Sequence, residues 1–296
     1  MTVDDGLISH ILKFADDTKI FNTVSSKVDH LLLHNDSNSL SSWAHKWKMD
    51  FNATKCKIMH VGKSNQHFQY VLDDHTLEST AREKDLGVII TDCLKVAGNC
   101  HAAHSRANRV LGMIRRTISY KTPGILLPMY KSLVRPLVEY CVPAWSPRYS
   151  KDEVMLEKIQ HRFTRMIHGL TEKDYATRLD VLNLWSLEER RNRADLIELF
   201  KMFKGLSGIA GDELFERAYD SRTRGHSLKL KKHHCSKDIR KFFFSERVVN
   251  RWNALDEDTV SVTTVNLFKS KLQRIRLLKR SFYTDTWCPT SSKASS

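Results

Sequence analysis

The chain has 296 residues, enough for two domains or for one domain plus extensions, and its 41% apolar and 28% charged residues argue for a folded chain and against disorder. Lys and Arg number 48 against 34 Asp and Glu, and the net charge of +14 points to a polyanionic partner, nucleic acid first among them. Six scattered cysteines without a CxxC pair argue against a structural zinc site or a disulfide framework, and no apolar run reaches the roughly 20 residues of a membrane span. The segment behind Met1 is acidic and lacks a secretory core, so the expected setting is intracellular, in nucleus or cytoplasm, not secreted and without membrane contact.

In chain order, residues 7 to 24 read as strand, turn and strand, with Asp16 and Asp17 at the turn between two apolar runs. Residues 26 to 49 read as a helix, with Leu40, Trp43 and Trp47 on one face and a break expected at the poor helix formers of HNDSNS. KCKIMHVG, FQYVLDD and LGVIITD read as further strands, with DDHT as a turn, so residues 1 to 92 form an expected α+β unit with one antiparallel sheet. From about residue 96 the pattern is helical. Tyr130, Leu133, Val134, Leu137, Val138 and Cys141 make an apolar stripe through Pro136, where a kink costing about 3 kcal/mol is expected.

Leu156, Ile159, Phe163, Met166, Ile167 and Leu170 make a second stripe, and Lys158, Arg162 and Arg165 lie on the other side. That basic row is either a solvated face or a ridge lining a groove. Ser186 and Glu189 have capping-box spacing, so a helix is expected to start there. Residues 222 to 280 are strongly basic. Phe242 to Phe244 and Trp252 are expected to pack a small core there, and the charge around them is available to phosphates. The tail PTSSKASS closes a segment, 281 to 296, expected to be disordered.

Some patterns carry nothing. VGKS at 61 to 64 lacks the glycines of a phosphate loop. Cys100, His101 and His104, and likewise His233, His234 and Cys235, lack a second pair at a metal-ligand interval.

The paired aspartates are the informative feature. Adjacent carboxylates repel, and a divalent cation with a preference for hard oxygen ligands, Mg²⁺ above all, removes that cost. The stretch LKFADDTKIF resembles the catalytic hairpin of reverse transcriptases from non-long-terminal-repeat, LINE-like retrotransposons, especially the jockey-like group. The resemblance continues in order through LSSWAHKWKMDFNATKCKIMHVGK, EKDLGVIITDCLK, ANRVLGMIRRT, MYKSLVRPLVEYCVPAWSP, LEKIQHRFTRMIHGL, RGHSLKL, FFFSERVVNRWNAL and TVNLFKSKL, from about residue 6 to 275. It implies RNA-directed DNA polymerase chemistry, with an RNA template and a DNA primer as partners and two metal ions transferring nucleotides.

Within the resemblance, Asp16 and Asp17 match the catalytic metal-binding pair, and Leu86 and Gly87 match the primer grip. It implies a partial palm over residues 1–92, a mainly helical thumb over 93–205 and a basic C-terminal region over 206–280, an α+β chain overall. Nucleic acid is expected along the basic row of Lys158, Arg162 and Arg165 and along the C-terminal region. The family palm also takes an aspartate from an earlier strand. Asp4 and Asp5 are the only carboxylates before the pair, and about 35 Å of extended chain separates Asp5 from Asp16. The chain is therefore expected to be the C-terminal part of such an enzyme, starting at an internal Met, binding Mg²⁺ weakly and inactive alone. The alternatives are a non-catalytic nucleic-acid-binding remnant and an inert fragment.

Overall fold

The computed structural model describes residues 6–218 and 225–284, and packing divides the chain into two units, Met1–Lys95 and Val96–Ser296. Asp4 and Asp5 lie outside the described residues, as does the PTSSKASS tail. The chain is mixed helix and sheet, as the α+β reading anticipates.

In the first unit, β1 (His10–Phe14) and β2 (Asp17–Phe21) pair antiparallel, with Phe14 opposite Asp17 and Ile11 opposite Ile20. Helix α1 (Lys27–Trp47) follows. It starts at a capping box in which Ser26 Oγ accepts from the Asp29 amide and Asp29 accepts from the Ser26 amide. The short strands β3 (Lys57–Ile58), β4 (Val71–Leu72), β5 (His75–Thr76), β6 (Glu78–Ser79), β7 (Arg82–Asp85) and β8 (Val88–Thr91) complete the unit.

Two expectations are corrected here. The strands form four two-stranded pairs rather than one antiparallel sheet, and β3 pairs with β6 in parallel. The helix does not break at HNDSNS, where Asp36 is held by a tertiary contact and Ser41 is held just beyond. Asp36 is buried and accepts the amides of Ile8 and Ser9, the latter at 2.7 Å. Ser41 donates to Asp73, which also bonds His45 Nε2 at 3.1 Å. Asp73 first, then Asp50, raises the pKa of His45. A low intrinsic propensity is outweighed where the polar side chains find partners.

The second unit opens with α2 (Ala97–Thr117) and α3 (Pro123–Met129). A π-helical turn (Tyr130–Val134), α4 (Arg135–Glu139) and α5 (Val142–Trp145) follow. The kink expected at Pro136 takes the form of that π turn. The Arg135 amide reaches back to the Tyr130 carbonyl, and Pro136 falls in the first turn of α4, where its missing N–H costs nothing. Tyr130, Val134 and Val138 of the stripe are buried, whereas Leu133 and Cys141 are exposed.

Helix α6 (Ser150–Arg165) buries Leu156, Ile159 and Phe163, and Ile167 and Leu170 continue the buried stripe beyond it. Gln160, fully buried, accepts from Tyr130 Oη at 2.7 Å and donates to the Trp185 carbonyl at 2.9 Å. Next come α7 (Tyr175–Val181) and α8 (Leu187–Phe203). The capping box at Ser186 and Glu189 is present as its spacing anticipates.

The remaining helices are α9 (Gly211–Leu214), α10 (Asp238–Lys241), α11 (Phe244–Arg247), α12 (Val249–Asn253), α13 (Glu257–Val260) and α14 (Val265–Leu278), closed by a 3₁₀ turn (Arg280–Tyr283). They share one core with α8. Leu196, Leu199 and Phe200 meet Trp252, Phe268 and Leu272, and the rings of Phe200 and Phe268 stack at 4.3 Å. A boundary at 205/206 is therefore not a boundary in packing. Phe244 and Trp252 belong to this core as expected, while Phe243 is exposed. The segment expected to be disordered from 281 is corrected at its start, since Phe282 and Tyr283 are buried and Tyr283 Oη donates to the Leu272 carbonyl at 2.9 Å.

Buried charge on α8 joins these pieces. Arg276 of α14 holds both oxygens of Glu189 at 2.9 and 3.0 Å. Arg251 of α12 donates to Asn192 at 3.1 Å and to the Phe282 carbonyl at 3.2 Å. Arg247 of α11 holds Asp195 at 2.7 and 2.9 Å and donates to the carbonyls of Val142 and Pro143. Removing one member of such a pair strands the other. Asp195→Ala is expected to destabilise the second unit by about 3–5 kcal/mol. Glu216→Ala, which breaks an exposed pair with Lys231, is expected to leave the unfolding midpoint unchanged. Urea titrations of both variants check the contrast.

His226 gives the second unit a pH dependence. Its Nδ1 accepts the Leu228 amide at 3.2 Å, so Nε2 carries the proton and donates to the Trp252 carbonyl at 2.9 Å. Burial holds its pKa below the ordinary value of about 6.5. Above that value the ring is neutral folded or unfolded, and its contribution to stability is complete. Below it the unfolded chain takes up a proton that the folded ring resists, so stability is lost as pH falls. Melting temperature is expected to drop between pH 7.5 and 5.5, less steeply in His226→Gln; a flat profile in the parent chain contradicts the assignment.

Candidate nucleic-acid and metal-binding sites

The aspartate pair sits at a hairpin tip because the turn there is as short as it can be. Ala15 and Asp16 alone connect β1 to β2, and Ala15 takes a left-handed φ of +53° at a cost of about 1–2 kcal/mol. Asp16 and Asp17 are both exposed. On the same face as Asp17 lie Lys19, Leu12 and Phe14, the last two 56% and 63% exposed, so an apolar patch borders the carboxylates.

Lys19 pairs with Asp85, the last residue of β7, and burial lowers the pKa of the lysine. Leu86 and Gly87 follow directly and form the turn into β8, with φ of +43° and +86°. They are thus a hairpin tip rather than strand residues. Two consecutive left-handed residues suit a tight hairpin, although leucine in that region is strained. The Lys19–Asp85 pair brings this tip and the aspartate hairpin into one neighbourhood, a proximity that 66 residues of separation conceal.

Oxygen ligands of this kind suit Mg²⁺, but two carboxylates fill only part of an octahedral shell. Among the described residues no group of three or more His, Cys, Asp or Glu side chains is placed to hold a metal ion. The donor chemistry fits the ion and the ligand number does not. The sets around Cys100 and Cys235 form no such group either. Cys100 is buried, which pushes its thiol up to about 12 and makes it inert.

The basic row lies on α6. Lys158, Arg162 and Arg165 are exposed, opposite the buried stripe of the same helix, and Arg162 donates to Asn108 of α2 at 2.7 Å. No carboxylate pairs with any of the three among the described residues. His104 of α2 stands close enough for Arg162 and Lys158 to depress its pKa, after burial, the main cause. Together these groups form a cationic face on α2 and α6.

Charge is divided unevenly along the chain. Residues 1–95 hold 11 Lys and Arg against 13 Asp and Glu, so the whole excess belongs to the second unit. Part of it is not at the surface. Arg247, Arg251 and Arg276, all within the segment read as basic and phosphate-facing, are engaged in the internal pairs of α8. The exposed basic groups there are Lys237, Arg240, Lys241 and Arg274 and their neighbours. Sequence reasoning missed this partition. The nearest signal was an acidic or amide residue every third position at 189, 192 and 195, but Arg191 and Arg193 offer each carboxylate a local partner at helical spacing, so the sequence does not point downstream.

No family model, no curated protein and no solved structure matches the chain. Among the described residues no helix is long and apolar enough to cross a membrane.

With two exposed carboxylates as its protein ligands, Mg²⁺ or Mn²⁺ is expected to bind only in the millimolar range. Calorimetry of the parent chain and of Asp16→Asn checks this, and a sub-micromolar site abolished by the substitution contradicts it.

Proposed function

We propose that the chain is the C-terminal part of a reverse transcriptase of the LINE-like, jockey-like class, and that it binds nucleic acid through its second unit. The observation that carries the reading is the Asp16–Asp17 hairpin tip, tied through Lys19 and Asp85 to the Leu86–Gly87 turn. These are the two segments that the resemblance assigns to metal binding and to the primer. In a complete enzyme of that class the metal ions activate a primer 3′-hydroxyl and stabilise the pyrophosphate that leaves. Asp16 and Asp17 would supply carboxylates to those ions. The exposed Leu12 and Phe14 beside them form an apolar surface for strands or fingers that a complete palm would add.

Two carboxylates do not complete a two-metal site, so no catalytic step is assigned to residues 1–296 alone. The activity assigned to them is binding. Its support is the confinement of the positive excess to the second unit and the exposed row of Lys158, Arg162 and Arg165, with which no carboxylate pairs among the described residues. Phosphate neutralisation of this kind is tolerant of sequence and works by counterion release. RNA and single-stranded DNA are the partners it suits.

The test is a salt series of anisotropy titrations, with a primer-extension assay on the same preparation. Micromolar binding to RNA and single-stranded DNA is expected, falling by about 0.7 log units per phosphate contact for each log unit of salt. Replacing Lys158, Arg162 and Arg165 together by Ala is expected to weaken binding and to flatten that slope by up to about 2. Asp16→Asn with Asp17→Asn is expected to leave affinity unchanged or slightly tighter, since negative charge is removed. Affinity independent of salt contradicts the binding role, and template-dependent extension abolished by Asp17→Asn contradicts the assignment of no catalysis to this chain.

A further inference from the structure

A cavity of about 400 Å³ opens in the second unit between α4, α5, α8 and α14, a size within the roughly 300–1,000 Å³ of small-ligand sites. Its wall carries five cationic side chains and two carboxylates. Both carboxylates already have partners. Glu139 is held bidentate by Arg190, with Nη2 at 2.7 Å, and Arg135 stands 3.8 Å away. Glu198 takes Lys201 at 3.1 Å and the Ser207 hydroxyl at 3.2 Å. Arg191 is buried and acts on Glu157, outside the cavity.

Arg193 and Lys269 form no salt bridge among the described residues, although the charge of Glu139 acts on Arg193. The Arg193 guanidinium lies 5.0 Å over the Trp185 ring and donates from Nη2 to the Lys269 carbonyl at 3.4 Å, a long bond, while its buried Nε has no partner among the described residues. Burial first, then the like charge of Arg190, disfavours its charged form. The Lys269 ammonium has no hydrogen-bonding or ionic partner among the described residues. Both residues line the cavity, so its wall carries positive charge that no salt bridge among the described residues offsets, and an anion bound there offsets that charge. The lining also has apolar members, Val142 and Pro143 of α5 and Ile197, which lies one turn along α8 from Arg193. The backbone of Val142 and Pro143 is fixed by Arg247, which donates to their carbonyls at 3.3 and 3.0 Å while pairing with Asp195.

We propose that this cavity binds a phosphomonoester of about nucleoside-monophosphate size, with Arg193 and Lys269 on the phosphate and the Val142, Pro143 and Ile197 wall against the body of the ligand. A monoester is close to a dianion at pH 7 and offers oxygens to both cations at once. The fork of Arg193 suits two of them, and the Lys269 ammonium acts as a point charge. The site is separate from the row on α6 and does not rest on the polymerase reading.

The experiment is calorimetric titration of the full chain with adenosine monophosphate and with adenosine, in the parent, in Lys269→Gln and in Arg193→Met. Lys269 is half-buried with no side-chain partner among the described residues, so Lys269→Gln is expected to fold, and a melting curve for each variant verifies this. The monophosphate is expected to bind at least about 10-fold tighter than the nucleoside, and Lys269→Gln is expected to lose about 10-fold in affinity for the monophosphate alone, the usual range for a charge-assisted hydrogen bond. The variant with Lys158, Arg162 and Arg165 replaced by Ala is expected to bind the monophosphate as the parent does. Equal affinity for monophosphate and nucleoside overturns the proposal. So does parent-like affinity in a folded Lys269→Gln chain, or loss of monophosphate binding in the α6 variant, which would locate the phosphate on the surface row instead.

Discussion

One helix face sets the organisation of the second unit. Along α8, Glu189, Asn192 and Asp195 recur every third residue, and all three are buried. A buried carboxylate without a partner costs several kcal/mol, so none of these side chains is tolerable until its partner arrives. The partners come from chain far downstream: Arg276 for Glu189, Arg251 for Asn192, and Arg247 for Asp195. Separations of 52 to 87 residues are closed by these contacts. The helix and residues 244 to 284 are thus parts of one cooperative structure, and the apolar contacts of Leu196, Leu199 and Phe200 with Trp252 and Phe268 lie along the same interface.

That arrangement decides which positive charges are free to act. Three arginines of the basic C-terminal region serve inside the protein, and Arg247 also fixes the backbone of α5 at the edge of the cavity. Those left over fall into two settings. Lys158, Arg162 and Arg165 stand in solvent, where water screens them and where a polyanion is met at long range. Arg193 and Lys269 stand in a recess, where the lower dielectric makes an unpaired charge costly and a bound anion correspondingly favourable.

The first unit is built differently. Its strands are short and lie in pairs, and three of its hairpin tips use left-handed residues at Ala15, at Asp73 with Asp74, and at Leu86 with Gly87. Its small core of Leu33, Leu40, Ala44, Tyr70 and Leu72 is supplemented by polar ties. Asp36 accepts the chain just before β1, and Lys19 with Asp85 links the two tips that carry the candidate site. Because the Lys19–Asp85 tie is a side-chain contact on a half-exposed surface, the neighbourhood of Asp16, Asp17, Leu86 and Gly87 rests on few interactions.

Features that depend on neighbours in sequence were legible from the sequence alone. The hairpin around Asp16, the turn at Asp73 and Asp74, the capping box at Ser186 and Glu189 and the stripe from Leu156 to Leu170 each follow from spacing, since a turn or a helix face is set by residues two to four apart. Composition likewise established the positive excess. Tertiary structure alone decided the rest. It showed that HNDSNS stays helical, with Asp36 inside it and Ser41 just past it bonded to residues 28 and 32 positions away. It paired β3 with β6 in parallel and merged the segments on either side of residue 205 into one core. It also separated structural arginines from exposed ones, which no local pattern could do, because Arg251 and Arg274 differ only in what folds around them. The role of a charge is set by its burial and its partner, and both are contributed by chain distant in sequence.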